Sequence, residues 1–146
     1  MKFLKITTIC LFLFTVTANA KEHEVKMLTS GENGETMVFE PAFIKIEKGD
    51  SINFVPSDPS HNAQSMSTTS DKLAFNTPMG KTAKVTFNDE GVVLYKCLPH
   101  FALGMVGVIQ VGNYNDTSSV LSDWNAVKAG VVMNKERMNK YLGSVK

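Results

Sequence analysis

The stretch VVLYKCLPHFALGMVGVIQV, residues 92–111, decides the fold. It starts as an apolar run that ends at Cys97, continues as a short loop, and returns to a β-branched apolar run after Met105. Two such runs separated by a short loop predict neighbouring strands. Because the loop also carries His100, a thiol, an imidazole and a thioether are expected close together at one end of these strands.

Upstream of this stretch, short apolar runs alternate with turn residues. Strands are predicted at residues 23–28, 36–40, 43–47, 51–55 and 82–87, in addition to 92–97 and 105–111. This pattern is typical of an all-β sandwich or barrel. Residues 56–78 are polar and are predicted to form one long loop, and such loops tend to be functional. His61 lies in it.

After Gly112 the apolar period changes to that of a helix. The face of a first helix is predicted from Val120, Leu121, Trp124 and Val127. Residues 116–118 offer candidates for the N-cap of this helix, and Gly130 is a candidate for the residue that follows its C-terminal end. Asn134 is expected to cap a second helix, whose shared face consists of Met138, Tyr141 and Leu142. The two helices, at about 117–143, are expected to cover part of the sandwich.

The first twenty residues are predicted to be a cleaved secretory signal peptide. They combine Lys2 and Lys5 with an apolar run and the small-residue motif at 18–20. The remaining residues, 21–146, suit one domain with a sandwich at about 21–112, in the periplasm. Without the two lysines, 13 basic residues face 14 acidic ones, and this net charge of −1 does not favour nucleic acid as a partner.

Processing after Ala20 removes Cys10, which leaves Cys97 as the single cysteine. Exported proteins mostly use cysteines in disulfide pairs, so an unpaired thiol needs another explanation. A bound metal would protect it from oxidation, whereas the alternative is an inert, buried cysteine.

Four side chains make the metal interpretation specific. Two imidazoles and a thiolate with a distant thioether are the ligands of a copper ion that shuttles one electron. We predict the nitrogen ligands to be His61 and His100, the thiolate Cys97 and the weak axial ligand Met105. Taken alone, Met105 suits core packing and His61 suits a solvated loop; their combination in a small exported β-protein favours copper.

Two neighbouring residues are expected to support these ligands. Pro99 stiffens the ligand loop and removes a backbone donor that would otherwise reach the thiolate. The remaining donor is expected near Asn62, whose side chain can tie the His61 loop to the ligand loop.

A second, adventitious Cu(II) site is a further hypothesis. If cleavage follows Ala20, the new N-terminus Lys21-Glu22-His23 offers an amine, two amide nitrogens and an imidazole in a square plane. The favoured alternative is that His23 begins a strand and binds no metal.

The ligand-loop motif YKCLPHFALGM at residues 95–105 resembles that of the cupredoxins, and among these the pseudoazurins. Three other segments are similar as well: MVFEPAF at 37–43, His61-Asn62, and WNAVKAG at 124–130. The resemblance implies an eight-stranded Greek-key sandwich with copper at one end and His100 reaching the surface within an apolar patch. It also implies that Met37 lies close to the His100 imidazole.

The resemblance also implies partners. Members of the family dock transiently to copper nitrite reductase or c-type cytochromes through a ring of lysines. This chain has Ser30 and Pro59 where lysines are common. The lysines expected to supply positive charge here are Lys96, Lys72, Lys48 and Lys128. The protein is expected to be a monomer without a membrane anchor.

Three functions are compatible with this sequence. The leading hypothesis is a one-electron carrier that is not an enzyme, in respiration or denitrification. A copper chaperone or storage protein is the alternative, although only Met105, of seven methionines after residue 20, lies beside other candidate ligands. An enzyme would need an open coordination position, which four protein ligands do not leave.

Overall fold

Short strands make up most of the chain before residue 112. In the computed structural model, which describes residues 19–146, eight strands precede two helices. The strands are β1 (Glu22–Ser30), β2 (Thr36–Glu40), β3 (Phe43–Ile46), β4 (Ser51–Pro56), β5 (Gln64–Thr68), β6 (Ala83–Thr86), β7 (Gly91–Lys96) and β8 (Val106–Val111). The helices are α1 (Ser118–Val127) and α2 (Arg137–Leu142). The predicted signal peptide lies outside the described residues, apart from its last two positions.

The strands form two four-stranded sheets, with the orders β2-β1-β4-β6 and β3-β8-β7-β5. β1 pairs with β4, and β3 with β8, in parallel; the other pairs are antiparallel. The predicted Greek-key β-sandwich with two C-terminal helices is therefore confirmed. None of the helices within 19–146 has the length and apolar character needed to cross a membrane.

Strand β7 is buried on both faces, which explains its continuous apolar sequence. Val93 and Tyr95 point with Cys97 into the core between the two sheets. Val92 and Leu94 point to the other side, where α1 and α2 cover the sheet. A strand with two covered faces shows no alternation of polarity, unlike one with a solvated face.

The prediction of one uninterrupted loop over residues 56–78 is wrong, because β5 lies within it. The strand has the polar sequence QSMST and pairs with β7 at the edge of its sheet. Its hydroxyls bond to groups distant in the sequence: Ser67 Oγ donates to Asp123 Oδ2 of α1 at 2.6 Å, and Ser65 Oγ donates to the Phe75 carbonyl at 3.0 Å. Polar strands of this kind give no apolar period to recognise.

The predicted helix ends need correction too. Asn134 does not cap α2, which begins at Arg137 after the N-cap Glu136. Instead, Asn134 Nδ2 donates to the Leu103 carbonyl at 2.9 Å and so holds the ligand loop. The first helix ends at Val127, and a separate 3₁₀ turn, Lys128–Gly130, follows it.

The start of β1 is fastened by the carboxylate of Asp50. The Lys21 backbone N–H donates to its Oδ1 at 2.7 Å, and His23 Nε2 lies 2.8 Å from its Oδ2. The backbone nitrogen of Lys21 and the imidazole of His23, both donors of the hypothetical N-terminal copper site, thus contact one buried carboxylate. A structural role for His23 accounts for this contact.

Candidate metal centre

The ligand loop closes on itself between β7 and β8. The Cys97 N–H donates to the Met105 carbonyl at 3.0 Å, and the Met105 N–H donates to the His100 carbonyl at 3.2 Å. Gly104 makes the last turn in the left-handed region, with φ at 77°. A Cβ at this position would lie 2.6 Å from the Met133 carbonyl, so this tight turn requires glycine.

His61 reaches the same place from the segment between β4 and β5. The Gly80 N–H donates to its carbonyl at 2.8 Å. The next residue, Asn62, accepts a hydrogen bond from the Leu98 N–H through Oδ1 at 2.8 Å. This bond joins the His61 segment to the ligand loop, 36 residues away, at the contact that the sequence predicts.

Three donor atoms converge between these two segments. Cys97 Sγ lies 3.8 Å from His61 Nδ1 and 3.5 Å from His100 Nδ1, and the two nitrogens are 3.2 Å apart. Imidazole nitrogens and thiolates bind first-row metals at about 2.0–2.3 Å, which separates ligands in a trigonal plane by about 3.5 Å. The spacing therefore fits a trigonal N₂S site.

The surroundings of the donors differ in exposure. His61 and Cys97 are fully buried, whereas His100 is half-buried and its neighbour Leu98 is 54% exposed. Burial raises the pKa of the Cys97 thiol and lowers the pKa of His61. A metal that binds the thiolate must therefore displace its proton, while neutral imidazole is already the favoured form of His61.

The imidazole of His61 is held on its far side by residues that the sequence reasoning missed. Its Nε2 lies 3.2 Å from Asp58 Oδ2 and 3.0 Å from Thr29 Oγ1. Hydrogen bonds from Ser60 and Thr29 hold the pKa of the Asp58 carboxyl far below its usual range. The spacing of Asp58 three residues before His61 is a signal that could have been noticed, whereas Thr29 comes from β1, 32 residues away.

Both methionines singled out from the sequence belong to, or pack against, the apolar cluster that contains Cys97. Met105 is fully buried in the same apolar cluster as Cys97, and the half-buried Met37 packs against that cluster. Pro99 is exposed at the tip of the ligand loop.

Two of the four lysines chosen as docking residues lie beside the ligand loop. Lys96 Nζ lies 4.8 Å from the centre of the Phe101 ring, a cation–π contact. Lys128 begins the 3₁₀ turn whose last residue, Gly130, packs against the same ring.

The end of the sandwich that carries His61, Cys97 and His100 is called the metal end. The structure does not bring Lys48 and Lys72 to it. Both act on the carboxyl of Asp89, whose pKa is lowered mainly by a hydrogen bond from Ser70 and also by these two cations. Lys48 precedes the start of β4, whose other end leads to the His61 segment. Because a six-residue strand is about 20 Å long, Lys48 lies at the opposite end of the sandwich.

Two imidazoles and a cysteine sulfur, at one end of a two-sheet sandwich, define the class of protein as a small metal-binding β-sandwich with copper-type ligands. A comparison with known families supplies the particular family. Residues 25–112 match the family described as copper binding proteins, plastocyanin/azurin family. The chain belongs to this family, and its cofactor is copper.

Similar proteins within that family are pseudoazurins. The chain is 45% identical to the pseudoazurin of Paracoccus pantotrophus over 96 residues, which cover 64% of this chain and 66% of that protein. It is 42% identical to the pseudoazurin of Methylorubrum extorquens over 104 residues, which cover 70% of each. The crystal structure of native pseudoazurin from Hyphomicrobium denitrificans superposes with a TM-score of 0.71 at 34% identity, covering 86% of this chain and 98% of that one.

Proposed function

We propose that this protein is a one-electron carrier, not an enzyme, which exchanges electrons with partner proteins. The observation that carries the proposal is the convergence of three donor atoms at the metal end, all within 4.8 Å of one another. When bound, copper supplies the Cu(II)/Cu(I) couple. The chain supplies binding, orientation and electrostatics.

Each candidate ligand has its own task in this proposal. Cys97 donates the thiolate, and His61 and His100 donate Nδ1. Met105 would add its thioether as a weak fourth ligand. Hydrogen bonds across the loop and from the Leu98 N–H to Asn62 Oδ1 keep these donors in place, so little has to move when the charge of the site changes. Residues that support the site in the proposal are Asn62, Pro99 and Met37.

Electrons enter and leave through the edge of His100. It is the half-buried ligand, while His61 and Cys97 are enclosed. Exposed apolar side chains belong to segments beside it: Leu98 in the ligand loop, and Met133 in the segment that bonds Ala102. An apolar surface with charges at its rim suits a small, short-lived redox interface.

The proposed place of work is the periplasm, reached through the predicted signal peptide. The proposed partners are c-type cytochromes and copper nitrite reductase, as the resemblance implies. Lys96 and Lys128 supply positive charge beside the ligand loop, which supports docking to acidic surfaces.

A visible spectrum and a redox titration of the copper-loaded protein test the carrier role. We expect an intense absorption band that disappears on reduction and returns on reoxidation, with copper retained throughout. Loss of copper to an apo-acceptor during the cycle would instead support a chaperone, and substrate turnover by the isolated protein would contradict the proposal.

Docking is tested separately, with Lys96→Gln and a matched control. Rapid-mixing rates of electron transfer to a c-type cytochrome or copper nitrite reductase are measured at several ionic strengths. We expect Lys96→Gln to slow association and weaken its salt dependence, whereas Lys48→Gln, at the opposite end of the sandwich, leaves both unchanged. Equal effects of the two substitutions would contradict docking at the metal end.

A further inference from the structure

The only arginine of the sequence lies buried beside the ligand loop. Arg137, the first residue of α2, is 7% exposed. Its Nη1 donates to the Met37 carbonyl at 2.8 Å and to the Gly104 carbonyl at 3.2 Å, and its Nη2 donates to the Thr36 carbonyl at 3.1 Å. One guanidinium therefore connects β2, α2 and the end of the ligand loop.

Packing alone does not explain a cation at this place. Burying a charge is costly unless hydrogen bonds compensate, and an apolar side chain would fill the same space without that cost. The nearest carboxylate, that of Glu35, is half-exposed, and its Oε1 lies 3.9 Å from Nη2. The guanidinium is thus bound mainly by the three carbonyl groups, which its planar fork of donors can reach together.

Two of these carbonyls belong to residues with unusual backbone geometry. Met37 has a positive φ of 52°, which costs free energy for a residue other than glycine, and Gly104 has a φ of 77°. A residue other than glycine that is held in the left-handed region, as Met37 is, needs support from its surroundings. Arg137 provides that support at Met37, 100 residues away in the chain, and the same nitrogen fixes the carbonyl of Gly104, 33 residues away.

The two positions flank the metal end. Gly104 immediately precedes Met105, whose carbonyl accepts from the Cys97 N–H and whose own N–H donates to the His100 carbonyl. Met37 packs against the cluster that contains Cys97 and Met105. A shift of the Gly104 carbonyl would therefore be transmitted to Met105 through one peptide bond.

We propose that Arg137 is a positioning residue of the copper site, which sets the placement of Met105 by clamping Gly104 to Met37. The inference rests on the proposed function for the axial role of Met105. Because an axial ligand tunes the reduction potential, a looser Met105 changes the potential and the spectrum of the site.

The test compares Arg137→Met and Arg137→Lys with two controls. Lys keeps the charge but replaces the planar fork by a single ammonium, and Met removes both. Met138→Ala destabilises the same helix from a fully buried position in the cluster under α1 and α2, without touching the three carbonyls. Lys140→Met removes a cation from an exposed position of α2.

Three readouts are measured: the reduction potential, the visible spectrum of the Cu(II) form, and hydrogen exchange of the Met105 amide in copper-free protein. Both Arg137 variants should change the potential and the relative intensities of the visible bands. Hydrogen exchange of the Met105 amide should become at least about tenfold faster, because the bonds from Arg137 no longer oppose local opening of the ligand loop. Both controls should keep the wild-type potential and spectrum.

Unchanged potential, spectrum and exchange in Arg137→Lys would overturn the inference, even if Arg137→Met were too unstable to purify. Lower thermal stability alone, of the kind expected for Met138→Ala, would also contradict it, since that is a structural role. A wild-type protein without a reversible redox cycle would contradict the proposed function instead, so the two failures are distinguishable.

Discussion

The Nε2 of His61 lies 3.2 Å from Oδ2 of Asp58, on the side of the ring opposite the nitrogen that faces Cys97. A ring nitrogen bonded to a carboxylate fixes which nitrogen carries the proton, and it makes the other nitrogen more basic. Thr29 Oγ1 donates to the same carboxylate oxygen at 2.7 Å and keeps it in place. The chain thus fixes the orientation of a fully buried imidazole through its own side chains.

This relationship predicts the effect of Asp58→Asn. The negative charge of Asp58 stabilises Cu(II) more than Cu(I). Its removal should therefore raise the reduction potential. Cu(II) affinity should fall about 10–100-fold, as for other partners of metal-binding histidines. Voltammetry and competition with a chelator measure the two effects. Asp71→Asn removes an exposed carboxylate elsewhere and serves as the control; a potential lowered by Asp58→Asn would contradict this account.

The proposed role of Met105 as a weak thioether ligand predicts that Met105→Leu retains copper but changes the reduction potential. Leucine fills a similar volume in the fully buried site, so the fold should lose less than about 1.5 kcal/mol. Only the thioether is removed. Met138→Leu, in the cluster away from Cys97, is the matched control and should leave the potential unchanged. An unaltered potential in Met105→Leu would remove this residue from the ligand set.

Sequence reasoning succeeded where the chemistry is local or the apolar period is clear. The Cys97–Met105 loop keeps its candidate ligands within nine residues, and β7 and β8 are mostly apolar, so both were predictable. The strand β5 was missed because its polar side chains bond to α1 and to residue 75, which are contacts that no local pattern records.

The supports of the site were harder to predict than its ligands. Arg137 bonds to backbone carbonyls, which every residue type has, so the identity of its partners leaves no mark in the sequence. One of these partners, Met37, is 100 residues away. Asn134 looked like a helix cap because of its type and place, but its amide is used on the Leu103 carbonyl. Long-range bonds to backbone groups are set by the tertiary fold, so residue type alone does not reveal them.

A buried hydroxyl in the core leads to a prediction about stability. Tyr95 is fully buried, and its Oη has no hydrogen-bond partner among the described protein atoms. Burial also raises the pKa of its phenol, so the group stays neutral. An unpaired hydroxyl costs free energy, and Tyr95→Phe should therefore raise the free energy of unfolding by about 1 kcal/mol.

Chemical unfolding of the copper-free protein measures this difference. Tyr114→Phe, at a position that is 38% exposed, should change the free energy of unfolding by less than about 0.5 kcal/mol. If Tyr95→Phe instead lowers the free energy of unfolding by about 1 kcal/mol, the hydroxyl has a hydrogen-bond partner in solution.

The carboxylate of Asp50 predicts how stability depends on pH. Burial by itself raises the pKa of this group, but hydrogen bonds from His23 and from the backbone N–H groups of Lys21 and Glu47 outweigh burial and hold the pKa below its usual value. Since the folded-state pKa is below the unfolded one, the stabilisation is fully present above about pH 4 and is lost as pH falls through the folded-state value.

Asp50→Asn should therefore lower the free energy of unfolding by about 1–2 kcal/mol at pH 7, since a charged acceptor is replaced by a neutral one. The difference from wild type should shrink as pH falls below about 4, because the wild-type carboxylate then becomes protonated. Denaturant unfolding of the copper-free proteins between pH 7 and pH 2 measures both curves, with Asp71→Asn as the surface control. A difference that stays constant over this range would show that Asp50 stabilises the start of β1 through packing and not through its charge.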